Sequence, residues 1–452
     1  MDLNKFFKAK SIAIVGVSKT PGKVGHVIFR NLIDAHYKGE LYVVNPNAKE
    51  ILGYKSYKKV QDIKKPIDLV AIAVPAVLVL KVLQDCQKAK VKNVIIVTSG
   101  FRETGNEQLE NKLRNFLIHN RMNAIGVNCL GVLDTYTNVD TLFLPRFRLK
   151  RPKKGGIAFI TQSGAVGSTI LDLASKNNYG FSKFVSYGNA TQVDEADIIE
   201  YLANDKQTKV ICMYIEGVVD GKKFMRIASK ASKKKPILVL KGGTSKEGHK
   251  ATISHTGSLA GNEKIYNGVF KQTGIIQVET LEDMFDYARL LEKSMKPKGK
   301  RIQVITNGGG FGIITTDALV KNGLELATLS KDSERILKKN FPPIAQIQNP
   351  LDVLGDATTD RYKLSIETFL YDKNIDIILV IALLQTPLIT VEIVDTITEL
   401  NSLNKKPIIV VSTGGDFTEV LRNSLEENGV PTFVFPENSA RAIKALVDYN
   451  SN

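Results

Sequence analysis

The chain contains no tryptophan, three cysteines and five histidines among its 452 residues. Cys86, Cys129 and Cys212 are far apart, odd in number and without metal-ligand spacing, which argues against a disulfide framework or a zinc site. A reducing cytoplasm suits them best. No apolar run reaches the ~20 residues needed to cross a bilayer. The longest, Leu69–Leu80 and Ile375–Leu384, fall short, and the first contains Pro75. No basic and apolar leader opens the chain, so no secretory signal is expected. Clustered positive charge is also scarce. The net charge of +16 is spread along the sequence, and only Arg146–Lys154 and Lys230–Lys235 form runs, without interleaved aromatics. That pattern disfavours nucleic-acid binding and suits a polyanionic small molecule better.

What is present is ordinary globular composition, 43% hydrophobic and 24% charged. Continuous β-branched runs alternate with helical periods, the pattern of parallel α/β sheets. The length suits three domains of ~150 residues. Stretches rich in Lys, Pro and Gly at 145–156 and 296–300 read as linkers. They divide the chain into 1–145, 146–296 and 297–452. The second segment is expected to close with a helix from Leu281 to about Lys293. The fold class expected is α/β: a Rossmann-like first domain followed by two flavodoxin-like open parallel sheets.

Segments two and three open alike. Ile157–Gly167 and Ile302–Gly312 match in strand, threonine and glycine spacing, and each runs directly into a helical stretch. Any βα turn favours glycine. Two matched copies, however, point to related domains, each presenting a helix N-terminus at the carboxyl end of its first strand, where anions bind. Ser163, Gly164 and Ala165 in one copy and Gly309 and Gly310 in the other are the candidate anion-binding residues.

Gly16–Gly25 also follows a strand and precedes a helix, but its spacing is neither G-x-G-x-x-G nor a P-loop. An NAD-binding unit would end its second strand in Asp or Glu. Here the strand ends Val43-Val44-Asn45-Pro46, with Lys49 following. A neutral end near a lysine suits a phosphorylated ribose, so coenzyme A or NADP is preferred to NAD; a plain structural turn is the alternative.

His255 lies in Ser254–Gly261, among Gly, Ser and Thr. It has little to pack against, but backbone N–H groups and hydroxyls surround it that can hold phosphate oxygens. An imidazole that carries a phosphoryl group needs such surroundings; a solvated loop histidine is the alternative. Glu216, at the end of strand Val210–Ile215, can accept an imidazole N–H and fix the ring. It can equally be a solvated strand-end carboxylate. His249 is the rival histidine, with fewer hydroxyls beside it.

Taken together, Gly16–Gly25, Gly126–Gly131, Gln162-Ser163-Gly164-Ala165, Ile215-Glu216-Gly217, Ser254-His255-Thr256-Gly257 and Asn349-Pro350-Leu351-Asp352 resemble the alpha subunit of the ADP-forming acyl-CoA synthetases, relatives of succinyl-CoA synthetase. The resemblance covers essentially the whole chain. Val127 replaces the family's usual proline and Ser258 its alanine; neither change removes a functional group. The resemblance implies an acid–thiol ligase, acetate–CoA ligase (ADP-forming), that converts acyl-CoA, ADP and phosphate to acid, CoA and ATP through an acyl phosphate and a phosphohistidine. His255 would carry the phosphoryl group, Glu216 would orient it, and the two duplicated helix N-termini would hold it. Coenzyme A would lie along Gly16, Ser18, Lys23, Pro46, Lys49, Val74, Pro75, Ser99, Gly100 and Asn128. ADP/ATP and Mg2+ would sit mainly on an ATP-grasp beta subunit in an alpha2beta2 heterotetramer, with no nucleic acid, membrane or metal on this chain. A non-catalytic CoA-binding scaffold is the competing reading, but it needs no histidine loop and no second helix N-terminus; a third, an NADP-linked enzyme, lacks an evident hydride-transfer constellation.

Overall fold

The computed structural model describes residues 2–245, 247–248 and 263–451. His249 and the Ser254–Gly261 run with His255 lie outside the described residues. The chain divides into two compact units, Met1–Glu279 and Thr280–Asn452.

The first sheet begins after the short helix α1 (Asn4–Phe7) with β1 (Ser11–Val15), in which all five residues are buried. There follow α2 (Val24–Asp34), β2 (Glu40–Val44), β3 (Glu50–Ile51), β4 (Tyr54–Tyr57), β5 (Leu69–Ile72), α3 (Ala76–Lys88), β6 (Asn93–Ile96), α4 (Glu107–His119) and β7 (Asn123–Gly126). The strand order is β3-β4-β2-β1-β5-β6-β7, parallel except for the β3–β4 hairpin. Strands buried on both faces give continuous apolar runs, which is why β1, β5 and β6 were legible. The chain leaves β1 first toward β2 and then returns to β5 on its other side. That reversal is a topological switch point, and it opens a crevice at the carboxyl ends of β1 and β5.

The second sheet contains β8 (Gly131–Asp134), β9 (Val139–Asp140), β10 (Lys153–Thr161), β11 (Gly180–Ser186), β12 (Val210–Ile215), β13 (Ile237–Lys241) and β14 (Ile276–Val278). Its helices are α5 (Gly164–Lys176), α6 (Glu195–Asn204), α7 (Gly221–Ala231) and α8 (Glu263–Thr273). The order is β14-β13-β12-β10-β11-β8-β9, with β8 antiparallel to β11. This corrects the sequence reading in one respect. Residues 131–140, assigned there to the first segment, form the β8–β9 hairpin of the second sheet. The stretch read as a linker is also anchored: Arg146 and Arg151 both pair with the fully buried Asp140, at 2.7 and 2.9 Å. One apolar cluster runs from Ile12, Ile28 and Leu32 through Val132 to Val185 and Met213, so the first two sheets share a core.

A buried ion cluster pins β8 to this sheet. Lys183 on β11 is 0% exposed and its ammonium lies 2.7 Å from Asp205 and 3.3 Å from Asp134. Burial alone would raise the Asp205 carboxyl, but hydrogen bonds from Lys183 and Thr208 hold it below its usual range.

The second unit begins with α9 (Leu281–Lys293), followed by β15 (Arg301–Thr306), α10 (Gly309–Lys321), β16 (Glu325–Leu326), α11 (Lys331–Asn340), β17 (Leu351–Asp352), α12 (Thr359–Tyr371), β18 (Ile377–Ile381), α13 (Ile393–Ser402), β19 (Ile408–Val411), α14 (Asp416–Glu427), β20 (Thr432–Phe433) and α15 (Pro436–Ser451). The order is β16-β15-β18-β19-β20, with β17 beside β15 and all pairs parallel. The sequence reading let α9 close the second segment. Instead Leu290 joins Ile302, Leu379 and Ile443 in this unit's core, and Arg289 bonds Glu426 at 2.9 Å. Among the described residues, no helix is long and apolar enough to cross a membrane.

Removing one member of a buried charge cluster strands the others in low dielectric. Lys183→Ala is therefore expected to destabilise the protein by about 3–5 kcal/mol, read from the denaturant midpoint. A loss below about 1 kcal/mol, the range of exposed pairs, would contradict the role given to this cluster.

Candidate functional site

The first glycine turn is shaped by close approach. Gly16 has φ +94°, and a Cβ there would lie 2.2 Å from the Ala73 carbonyl oxygen. A Cβ on Gly25 would come within 2.3 Å of Gly16 O, so α2 packs on the turn only because both residues are glycine. The turn is braced from two sides. His26 Nδ1 donates to Ser18 O at 2.8 Å, and Asn45 Nδ2 donates to Val17 O at 2.7 Å, just before Pro46. Lys23, Pro46 and Lys49 are exposed around this edge.

A cavity of about 740 Å³ opens at the carboxyl edge of the first sheet. Its wall comprises Val24, Ala73–Ala76, Val97–Ser99, Arg102, Glu103, Asn128–Leu130, Phe143, Gln162–Ala165, Gly188 and Asn189. Four of the residues expected to hold coenzyme A line it: Val74, Pro75, Ser99 and Asn128. Gly16, Ser18, Lys23, Pro46, Lys49 and Gly100 do not. Ser163, Gly164 and Ala165, expected at a phosphate site, line the same cavity from the second sheet.

One wall is a polar network between the sheets. Asn189 Nδ2 donates to Glu103 and Glu110 at 2.7 and 2.9 Å, Thr191 Oγ1 donates to Glu110 at 2.9 Å, and Arg102 donates to Asn189 O at 2.6 Å. None of these residues was singled out in the sequence, since each is an ordinary polar residue until the two sheets meet.

The duplicated turns have the same construction. Thr161 Oγ1 accepts from Ser163 N–H at 3.1 Å and donates to Ser163 O at 2.8 Å. Thr306 Oγ1 does the same with Gly308, at 3.0 Å in each direction. The final glycine of each run explains the spacing. A Cβ on Gly167 would lie 2.9 Å from the Thr161 methyl, and one on Gly312 would lie 3.2 Å from the Thr306 methyl. Ser163 caps α5 through Val166 N–H, at 3.3 Å. Gly308 stands at the same place before α10, and Gly309 lines a separate cavity of about 550 Å³ with Thr306, Gly312, Pro350 and Asp352. A Cβ on Gly309 would be 3.3 Å from Asp352 Oδ2, so a carboxylate stands beside this helix start; Gly310 does not line that cavity.

Glu216 is buried at the carboxyl end of β12, 6% exposed, and its Oε1 accepts from Tyr214 Oη at 3.3 Å. The loop it opens is tied down donor by donor. Glu216 N–H and Gly217 N–H both donate to Gln162 Oε1, the second at 3.1 Å. Val218 N–H donates to Tyr266 Oη at 3.2 Å and Val219 N–H to Glu195 Oε1 at 3.1 Å. Burial and the neighbouring Glu216 push the Tyr214 phenol up to about 12. Lys241 pairs with Ile215 across β12–β13, donates to Gly242 O, and lies 4.8 Å over the Tyr266 ring. Burial pulls its ammonium down, and the charge of Glu216 opposes that pull. Glu195, fully buried, is raised to about 7, chiefly by burial. The sequence reading missed Gln162's role, Glu195, Tyr266 and Lys241. Only Gln162 carried a signal, as the first residue of Gln-Ser-Gly-Ala.

The raised Glu195 sets a pH dependence. Its carboxyl is protonated more readily when folded than when unfolded, so its contribution to stability is complete below its ordinary range and declines as pH rises through about 7. Glu195→Gln keeps the acceptor for Val219 and removes the titration. Melting temperatures from pH 5.5 to 8.5 are expected to fall more steeply up to about pH 7 for the unsubstituted chain than for the variant, with the extra slope gone above that. Parallel curves would show that this carboxyl is not held neutral.

Comparison with known proteins agrees with this geometry. Residues 10–135 match the CoA binding domain family, 154–291 the succinyl-CoA ligase like flavodoxin domain, and 302–447 the Ligase-CoA domain. The chain is 39% identical to acetate–CoA ligase [ADP-forming] II subunit alpha of Pyrococcus furiosus, over 100% of this chain and 98% of that one. It is 42% identical to acetate–CoA ligase [ADP-forming] of Methanocaldococcus jannaschii, matching 98% of its own length but spanning 62% of that protein. A solved structure of dinucleotide-forming acetyl-coenzyme A synthetase 1 from Ca. Korarchaeum cryptofilum, in complex with phosphate and ADP, superposes with a TM-score of 0.94 at 36% identity, covering 99% of this chain and 97% of that one. With a cavity between CoA-type and ligase-type sheets and a 39% identical relative matched over 98% of its length, this chain belongs to the ADP-forming acetate–CoA ligase family.

Proposed function

We propose that this chain is the alpha part of an ADP-forming ligase that converts the CoA thioester of a short carboxylic acid, acetate first, to the free acid with capture of phosphate on His255. The observation that carries this reading is the single cavity that joins the switch-point loops of the first sheet to the N-terminus of α5. Coenzyme A laid along Val74, Pro75, Ser99 and Asn128 would bring its thioester toward Ser163-Gly164-Ala165. There the partial positive charge of the helix end and free backbone donors favour phosphate.

The chemistry follows from that placement. A phosphate oxygen attacks the thioester carbonyl, the C–S bond breaks, and the sulfur leaves to take a proton. The His255 imidazole then attacks phosphorus of the acyl phosphate, and the P–O bond to the acid breaks. Glu216, already fixed by its loop, accepts the other imidazole N–H and stabilises the charged ring. The second helix start, at Gly309-Gly310, is proposed as a further phosphate-binding site. Transfer to ADP belongs to an ATP-grasp partner in an alpha2beta2 assembly, and Mg2+ enters with the nucleotide there. Among the described residues no group of three or more His, Cys, Asp or Glu is arranged to hold a metal. The reaction belongs in the cytoplasm, which also suits three free, buried cysteines.

Two experiments test this reading. Incubation with acetyl-CoA and radiolabelled phosphate is expected to give an acid-labile, base-stable label, lost in His255→Asn and retained in His249→Asn. Label surviving in His255→Asn would mean that another residue carries the phosphorus. The chain alone is expected to make no ATP from acetyl-CoA, phosphate and ADP until an ATP-grasp chain is added; ATP formed by the pure chain would contradict the division of labour.

A further inference from the structure

Gln162 occupies a place that neither the acyl half nor the phosphoryl half of the reaction accounts for. It lines the cavity beside Ser163. Its Oε1 accepts both Glu216 N–H and Gly217 N–H, and its backbone N–H donates to Tyr214 O at 3.3 Å. One residue thus ties the turn before α5 to the turn that presents Glu216, across the β10–β12 neighbours.

The second unit repeats the device. Asn307 stands where Gln162 stands, one residue after the strand-end threonine. Its Oδ1 accepts from Leu383 N–H at 2.9 Å and its Nδ2 donates to Leu383 O at 3.1 Å, in the loop after β18. β18 neighbours β15 as β12 neighbours β10. In both sheets an amide side chain latches the first strand's turn to the loop of the adjacent strand. Only in the first unit does that loop open with a buried carboxylate, at Glu216.

From this we infer that Gln162 is a positioning residue for phosphoryl transfer: its amide oxygen sets the place of Glu216 relative to the start of α5. The inference rests on the function proposed above. Losing this acceptor would leave the α5 turn capped by Ser163 and closed by Thr161, while two N–H groups at Glu216 lose their partner. The damage should therefore fall on capture of phosphorus by the histidine more than on cleavage of the thioester.

The two halves can be read separately on the full chain assembled with its ATP-grasp partner, without ADP. Arsenate in place of phosphate attacks the thioester carbonyl and expels the CoA thiol. The acyl arsenate then hydrolyses to acid and arsenate, so thiol release reports the first half without the histidine. Labelled phosphate retained on the protein reports the second half. In Gln162→Met, the ratio of phosphoenzyme formation to arsenolysis is expected to drop about 10–100-fold, the scale for losing a residue that orients a reacting group. Gln162→Glu, which keeps an acceptor oxygen, should restore most of the ratio. Both assays use one sample, so partial loss of folded protein cancels; if the Met variant does not fold, Gln162→Asn, too short to reach both N–H groups, should show the same drop. An unchanged ratio in Met and Asn, or a Glu variant as impaired as Met, would overturn the inference. Absence of any label on the unsubstituted chain would instead overturn the phosphohistidine reading itself.

Discussion

Four consecutive backbone N–H groups, from Glu216 to Val219, emerge at the carboxyl end of β12, and each must find an acceptor because the ladder has ended. They find them on three other elements: Gln162 in the turn before α5, Tyr266 on α8 and Glu195 on α6. Buried backbone donors are costly to leave unmet, so the loop has little freedom. The position of Glu216 follows from that satisfaction. A carboxylate meant to orient another group gains from being held this way, since its own rotational freedom is spent before the reaction begins.

The same economy runs through the first unit. Charged residues that look like surface or linker decoration in the sequence are drawn inside wherever two sheets or strands meet. Arg146 and Arg151 converge on Asp140, Lys183 bridges Asp134 and Asp205, and Glu110 collects donors from Thr191 and Asn189. Part of the excess positive charge is thereby neutralised locally. The cavity wall formed by Arg102, Glu103 and Asn189 is polar for the same reason, and it keeps the two sheets in register along the edge where the ligand would lie.

Much of this was legible beforehand. Strands buried on both faces announce themselves as apolar runs, and β1, β5, β10, β12 and β15 are of that kind. The matched Thr–Gly runs proved to be matched turns, down to the final glycine seated on the threonine methyl. The hairpin β3–β4 and the strands β8 and β9 were not legible. They are two to four residues long, and nothing in so short a stretch says which sheet will accept it. The helix α9 was read correctly as a helix but placed with the wrong neighbours, because amphipathic periodicity reports that a face is buried without naming what covers it.

By itself, then, the amino-acid sequence determined the class of fold, the three sheets and the two matched helix starts, since these depend on local pattern and residue type. Only the tertiary structure decided that Ser163 and Val74 face one cavity, that a glutamine holds the loop of Glu216, and that Glu195 is buried beneath that loop. Those facts depend on which strand lies beside which, a long-range choice made by packing of the whole chain that no local window contains.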